Sequence, residues 1–116
     1  MGGGTGVAAD HMLRNAARLD LTEAQIAQLE KLSYDAKSKL IDLESDQDKA
    51  RLEMRRQMQT DSDDLTAMKK QLNAMSQIRV NIQELKLKNW IDAKNVLTDD
   101  QKQKVKDQFP RFGMKL

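Results

Sequence analysis

The interior of this chain contains no residue that would break a helix. Four of its five glycines lie within the first six residues, the fifth is Gly113, and the only proline is Pro110. Sheet proteins of this size need turns built from glycine, proline or asparagine at short intervals. The residues between Val7 and Phe109 are instead rich in Ala, Leu, Lys, Gln, Glu, Met and Arg, which favour helices. The sequence therefore predicts an all-α protein.

The length and composition favour one elongated domain. The chain has 116 residues, the length of a single domain, and only 3% of them are aromatic. So few large side chains favour a helical structure held by narrow apolar stripes over a thick globular core. No apolar run approaches about 18 residues, so no transmembrane segment is expected. We expect a flexible glycine-rich tail over residues 1–9, one helical domain over residues 10–112 and a short basic tail over residues 113–116.

Three signals for the start of a helix divide the interior. Thr22 followed by Gln25, and Thr98 followed by Gln101, each fit a capping box. A polar Asx/Ser cluster at residues 61–64 marks a third start. The predicted helices lie near residues 10–18, 22–59, 62–95 and 98–108, with Pro110 ending the last. The second helix would span roughly 57 Å. The short link after it predicts that the two long helices form an antiparallel hairpin.

Each long helix carries an apolar stripe that suits the interior of such a hairpin. Residues on one face recur at a rotation of about 100° per residue. On the first long helix the stripe comprises Leu29, Leu32, Ala36, Leu40, Leu43, Ala50 and Met54, with Ile26 and Met58 at its edge. On the second it comprises Leu65, Met68, Leu72, Met75, Ile78, Ile82, Leu85, Ala93 and Val96. We expect these residues to form the core of the hairpin.

A second apolar row lies on the far side of each long helix. Its members are Tyr34, Ile41 and Leu52 on the first helix, and Val80, Leu87 and Ile91 on the second, with Trp90 at the margin. One hairpin cannot bury both faces of both helices, and aligned exposed rows suggest a further contact. The favoured interpretation is the interface of a homodimer. A surface for client proteins and packing by the terminal helices are the alternatives.

A charged segment lies in the second half of the first long helix. Asp42, Glu44, Asp46 and Asp48 come first, and Arg51, Arg55 and Arg56 follow them. A solvated face with local charge pairing is the simpler interpretation. The sharper one is a basic and apolar surface that binds unfolded chains, formed by Arg51, Met54, Arg55 and Met58.

The sequence shows no machinery for catalysis, and we expect no enzyme. It contains no cysteine, one histidine and no glycine-rich phosphate loop. Nucleic-acid binding is not expected either, because the net charge is only +2 and no aromatic residues are interleaved among the lysines and arginines.

A metal site at His11 is a further hypothesis. His11 and Met12 lie in the first short helix. Imidazole with carboxylates suits Zn²⁺ or Ni²⁺, and imidazole with thioether sulfur suits Cu⁺. A dimer could pool two histidines, or His11 could meet a carboxylate from another helix. No other cofactor is predicted.

Two pentapeptides of the form Leu-Thr-x-x-Gln open two of the predicted helices. They are Leu-Thr-Glu-Ala-Gln at residues 21–25 and Leu-Thr-Asp-Asp-Gln at residues 97–101. The chain thereby resembles the Spy/CpxP family of periplasmic stress proteins, which carries this motif twice. The stretches at residues 20–22, 55–58 and 95–102 strengthen the resemblance, which covers roughly residues 19–112. The motif residues that match are Leu21, Thr22, Gln25, Leu97, Thr98 and Gln101, and their chemistry is that of helix caps.

The resemblance implies a fold, a location and a set of functions. It implies a four-helix protomer and a cradle-like antiparallel homodimer in the periplasm, although no signal peptide is recognisable in the sequence. Members of the family act as ATP-independent chaperones for unfolded proteins, damp an envelope-stress sensor kinase through its periplasmic domain, or bind heavy metals. The metal-binding branch uses His-rich and Met-rich termini, which this sequence lacks. We therefore expect a holdase that binds unfolded or partly folded clients, with heavy-metal (Zn, Ni or Cu) sensing or resistance as the alternative.

Overall fold

The chain folds as a thin helical hairpin with a short helix at each end of the sequence. The structure is a computed structural model that describes residues 7–60 and 63–108. It contains four helices in these ranges and no strand: α1 (Ala8–Arg14), α2 (Glu23–Gln59), α3 (Leu65–Lys94) and α4 (Asp99–Gln108). Helices α2 and α3 pack against each other, and the molecule measures 59 × 21 × 21 Å. The predicted all-α fold with a hairpin of two long helices is confirmed.

The helices begin where the sequence predicts caps. The Thr22 hydroxyl accepts from the Gln25 backbone N–H at 3.1 Å, and Gln25 Oε1 accepts from the Thr22 backbone N–H at 2.9 Å. Thr98 and Gln101 form the same reciprocal pair at 3.2 and 2.9 Å. At the third start, Asp64 Oδ1 accepts from the Ala67 backbone N–H at 3.1 Å. These side chains satisfy amide groups that have no partner within the helix.

The first helix differs from its prediction. It begins at Ala8 and ends at Arg14, whereas residues 10–18 were expected. Val7, Ala8 and Ala9 are fully buried, so they belong to the core and not to the predicted tail. Three small apolar residues next to glycines show no periodicity, and their burial depends on contacts made far along the chain. The rest of that tail, Pro110 and the predicted basic tail lie outside the described residues.

The core lies at the open end of the hairpin, where α1 packs on both long helices. Its buried members are Val7, Ala8, Ala9, Met12, Leu19, Leu29, Ala36, Leu40, Ala93, Leu97 and Val105. Every one of the four helices, or a segment beside it, contributes to this cluster.

For three residues near the hairpin turn, the prediction that they belong to the core or its edge is wrong. Leu65 is 64% exposed, Leu72 is 54% exposed and Met58 is 68% exposed. Among the described residues, two helices are present at this end, and a helix pair buries the line along which the helices touch, leaving the flanks in solvent. Met54, Met68 and Met75 lie closer to that line and are half-buried.

None of the helices in the described ranges combines the length and apolar character needed to cross a membrane.

Candidate functional site

The residues predicted to bind clients share one exposed flank of α2. Met54, Arg55 and Met58 lie three, four and seven residues after Arg51, which places the four side chains on one helix face. The two arginines and Met58 are exposed, whereas Met54 is half-buried. Arg51 Nη1 lies 3.2 Å from Asp48 Oδ1, and Arg55 has no ion-pair partner among residues 7–60 and 63–108.

Helix α3 extends this flank with a row of its own. Gln71 donates a hydrogen bond to the Ala50 carbonyl at 3.0 Å, so these two residues face each other across the hairpin. In an antiparallel pair the residue after each, Arg51 and Leu72, lies on the same side of the pair, because the step of about 100° per residue runs in opposite senses on the two helices when both are viewed from one end.

Leu65 and Arg79 lie seven residues before and after Leu72, and both are exposed. We call the surface formed by Arg51, Met54, Arg55, Met58, Leu65, Leu72 and Arg79 the tip face.

The α3 half of the tip face was missed at the level of sequence, because Leu65 and Leu72 fit the core stripe equally well. A second signal was present: no acidic residue occurs between Leu65 and Gln83, although Lys69, Lys70 and Arg79 do. Such an acid-free stretch indicates a basic surface.

The acidic segment that precedes the tip face is solvated. Asp42, Glu44, Asp46 and Asp48 are all exposed, and Asp48 pairs with Arg51. Beyond it Arg56 donates two hydrogen bonds to Glu53, at 3.0 and 2.5 Å, and these bonds together with one from Gln57 lower the pKa of Glu53. The local pairing predicted for this segment is therefore present at Arg51 and Arg56. Among the arginines of the tip face, Arg51 is paired with Asp48, whereas Arg55 and Arg79 have no ion-pair partner within the described residues.

The second apolar row is exposed. Tyr34 is 74% and Ile41 66% exposed, and Leu52, Val80 and Ile91 are exposed as well, whereas Leu87 is half-buried. Helices α1 and α4, as far as they are described, leave these side chains in solvent. Within the described residues, packing by the terminal helices does not cover Tyr34, Ile41, Leu52, Val80 or Ile91. The interface and the client surface both stay predictions.

The two Leu-Thr-x-x-Gln motifs contact each other. Gln25 Nε2 donates to Gln101 Oε1 at 2.7 Å, and Gln101 Nε2 donates to Gln25 Oε1 at 3.0 Å. We call this contact the glutamine pair. Gln25 Nε2 also donates to the Val96 carbonyl, and Gln101 Nε2 to the carbonyls of Leu19 and Asp20, each at 3.0 Å. Each glutamine thus caps its own helix and ties the start of α2 to the start of α4.

Asp20 closes the turn beside the glutamine pair. Its φ of 54° lies in the left-handed region, which a non-glycine residue adopts at some energetic cost. Asp20 also forms an ion pair with Lys104 of α4. The turn is thus held to α4 through both its backbone carbonyl and its carboxylate. These contacts were not predicted, because sequence spacing shows the caps but not the meeting of two helix starts.

His11, the candidate metal ligand, lies half-buried in α1. The neighbouring Asp10 carboxylate is engaged by Lys37 and Arg14, each at 2.9 Å. Within the described residues no three His, Asp or Glu side chains are grouped closely enough to hold an ion. Metal binding stays a prediction, and calorimetry with Zn²⁺, Ni²⁺ and Cu⁺ on the wild type and on His11→Ala tests it.

Comparison with protein-family models, with curated proteins and with solved structures found no match to this chain.

Proposed function

We propose that this protein is an ATP-independent holdase of the Spy/CpxP kind, which binds unfolded or partly folded proteins in the periplasm during envelope stress. The observation that carries the proposal is the tip face. It combines exposed Met and Leu side chains with arginines on a part of the molecule where, in the described ranges, α2 and α3 are the two helices present. Exposed apolar side chains that lie together indicate an interaction surface.

The chemistry of the tip face suits weak binding to many partners. Methionine side chains are flexible and polarizable, so they adapt to different apolar shapes. Arginine combines a long apolar stem with a charge that pairs with carboxylates and peptide carbonyls. A surface of this composition favours promiscuous contact over the recognition of one partner.

The proposal includes a homodimer. The second apolar row, formed by Tyr34, Ile41, Leu52, Val80, Leu87 and Ile91, is separate from the tip face along the helix circumference. The α2 members and the α3 members of this row face outward on opposite sides of the hairpin, so a second copy would contact both sides to cover the row, and the tip faces of both copies would stay open to clients. A sensor kinase periplasmic domain is a further partner that the resemblance implies.

Suppression of aggregation tests the holdase function. A chemically denatured enzyme is diluted into buffer with a near-stoichiometric amount of the protein, and light scattering is followed. We expect the wild type to suppress scattering. We expect Arg51→Glu/Arg55→Glu to lose most of this effect, because it reverses the charge of the tip face.

The matched control is Lys39→Glu/Lys106→Glu, which makes the same change of charge at exposed positions outside the tip face. It should suppress aggregation like the wild type. Equal suppression by both double variants would contradict the assignment of the tip face, and no suppression by the wild type would contradict the holdase function.

A further inference from the structure

The groove between α2 and α3 at the open end of the hairpin is occupied by α1. Val7, Ala8, Ala9 and Met12 of this segment are at most 1% exposed. They belong to one apolar cluster with residues of both long helices, including Leu29, Ala36 and Leu40 of α2 and Ala93 of α3. The small side chains of α1 allow its backbone to approach the groove closely.

Two polar groups of the groove recognise the beginning of α1. Its N-cap residue, Val7, offers no side-chain acceptor; the Asp10 and His11 N–H groups donate to the Val7 carbonyl, but the Ala9 N–H needs a partner outside the helix. Asn89 of α3 supplies one, since its Oδ1 accepts from the Ala9 N–H at 2.9 Å. Asn89 is 4% exposed, and its Nδ2 donates to the Leu32 carbonyl at 3.1 Å, which fixes the orientation of the amide.

The second polar group is Lys37 of α2. Its Nζ lies 2.9 Å from the carboxylate of Asp10, the residue that follows Ala9. The groove thus binds the backbone N–H of Ala9, the carboxylate of Asp10 and the buried side chain of Met12. In this structure these three features belong to residues 9–12 of α1.

Helix α1 is too short to be stable without the groove. It has seven residues, whereas isolated helices below about 12 residues are marginal in water. Its helical state therefore depends on docking, and leaving the groove would unfold it. A segment of this kind can be displaced by a competitor that makes the same contacts.

We propose that this groove is a binding site for helix starts, which α1 occupies in cis. Its partner is an amphipathic helix of another protein that carries small apolar residues in its first turn and an acidic residue positioned like Asp10. Binding requires α1 to leave, so α1 acts as an autoinhibitory segment. The inference does not depend on client binding at the tip face.

A fluorescent peptide with the sequence of residues 7–18, acetylated at its N-terminus, serves as the probe. In the full-length variant Met12→Asp, an unpaired charge would enter the apolar groove, and α1 is expected to undock. We expect this variant to bind the peptide about tenfold more tightly than the wild type, because the groove is no longer occupied. The matched control Ala17→Asp places the same charge at an exposed position and should bind like the wild type.

A charge reversal tests whether the peptide sits as α1 does. Adding Lys37→Glu to Met12→Asp should weaken binding of the peptide, and a peptide with Asp10→Lys should regain it. If circular dichroism shows that Met12→Asp has lost its helices, Asp10→Lys in the full chain takes its place. That variant repels Lys37 without placing a charge in the apolar cluster.

Two results would overturn the proposal. One is a folded variant with displaced α1 that binds the peptide no better than the wild type, or that binds both peptides equally. The other is hydrogen exchange of the wild-type α1 amides only through global unfolding, because a displaceable segment must open before the rest of the molecule. Neither measurement uses an aggregating client, so failure here is distinguishable from failure of the holdase proposal.

Discussion

Gln101 shows how a polar side chain is accommodated in the core of this small domain. It is buried, and its amide group bonds to the start of its own helix, to Gln25 and to two backbone carbonyls. Burial of an amide costs free energy unless its donors and acceptors are satisfied. The same contacts make the position sensitive, because removing the side chain leaves several buried groups without partners.

We therefore expect Gln101→Leu to lower the free energy of unfolding by about 2–4 kcal/mol, since each orphaned buried group costs about 1–3 kcal/mol. Urea denaturation followed by circular dichroism measures this. Gln103→Leu, on the exposed side of the same helix, should change stability by about 0.5 kcal/mol or less. Similar losses for the two variants would contradict the role of the glutamine pair.

Asp10 gives the stability a dependence on pH. Partial burial alone would raise the pKa of this carboxyl, but the hydrogen bond and charge of Lys37, with the charge of Arg14, outweigh it and hold the pKa below its usual value. A lowered pKa in the folded state means that the carboxylate stabilises the protein above the unfolded pKa, and that this contribution is lost as the pH falls through the folded pKa.

The comparison of the wild type with Asp10→Asn isolates this contribution. We expect the wild type to have the higher urea midpoint at neutral pH and the difference to close between about pH 5 and pH 2. Other carboxylates titrate in both proteins and cancel. A difference that stays constant over this range would show that the ion pairs of Asp10 do not stabilise the fold.

Within each long helix, position along the hairpin decides what a leucine contributes. Leu40 lies in the middle of α2, belongs to the core cluster and is buried, whereas Leu72 lies near the turn and is exposed. We expect Leu40→Ala to cost about 2–4 kcal/mol and Leu72→Ala less than about 1 kcal/mol, because only the first leaves a cavity. Denaturation of the two variants under the same conditions tests this, and equal losses would mean that α3 is packed more tightly near the turn than the structure shows.

The same contrast explains how far the sequence could predict the helices and the tip face. The capping boxes and the absence of breakers were sufficient for four helices, with the long ones correct to within about three residues. The apolar stripe was not sufficient to separate Leu40 from Leu72, because the period is the same along the whole helix. Burial depends on where α1 and α4 lie, and that is set by contacts such as Asn89 with Ala9.

The tip face was predictable on α2 from spacing, whereas on α3 the sequence indicated its basic character but not which apolar residues belong to it. Arg51, Met54, Arg55 and Met58 share a face by spacing alone. The contribution of Leu72 requires knowing that Gln71 meets Ala50, which is a matter of register between helices. The glutamine pair likewise requires two helix starts to meet, although the repeated motif was visible.

For the whole molecule, the exposed second row predicts association. We expect light scattering at micromolar concentration to give twice the chain mass of 13.3 kDa. Ile41→Asp should return the mass to that of one chain, because a charge would enter the apolar interface. Leu72→Asp, which makes the same change on the tip face, should remain a dimer. A wild type with the mass of one chain would remove the dimer from the proposal.

The long-range polar contacts of the molecule are concentrated at one end. The glutamine pair and the bond between Asn89 and Ala9 join residues that are 76 and 80 positions apart, and both lie at the open end of the hairpin. Two separate polypeptides, covering residues 1–60 and 63–116, would each carry one member of the glutamine pair. The first would contain α2 and the second α3, the two helices that form the groove. Mixed together, they should reassemble into a single rod with native helix content, as a split protein does. The covalent link between α2 and α3 would then not be required for the two halves to associate, because the contacts at the open end hold them together.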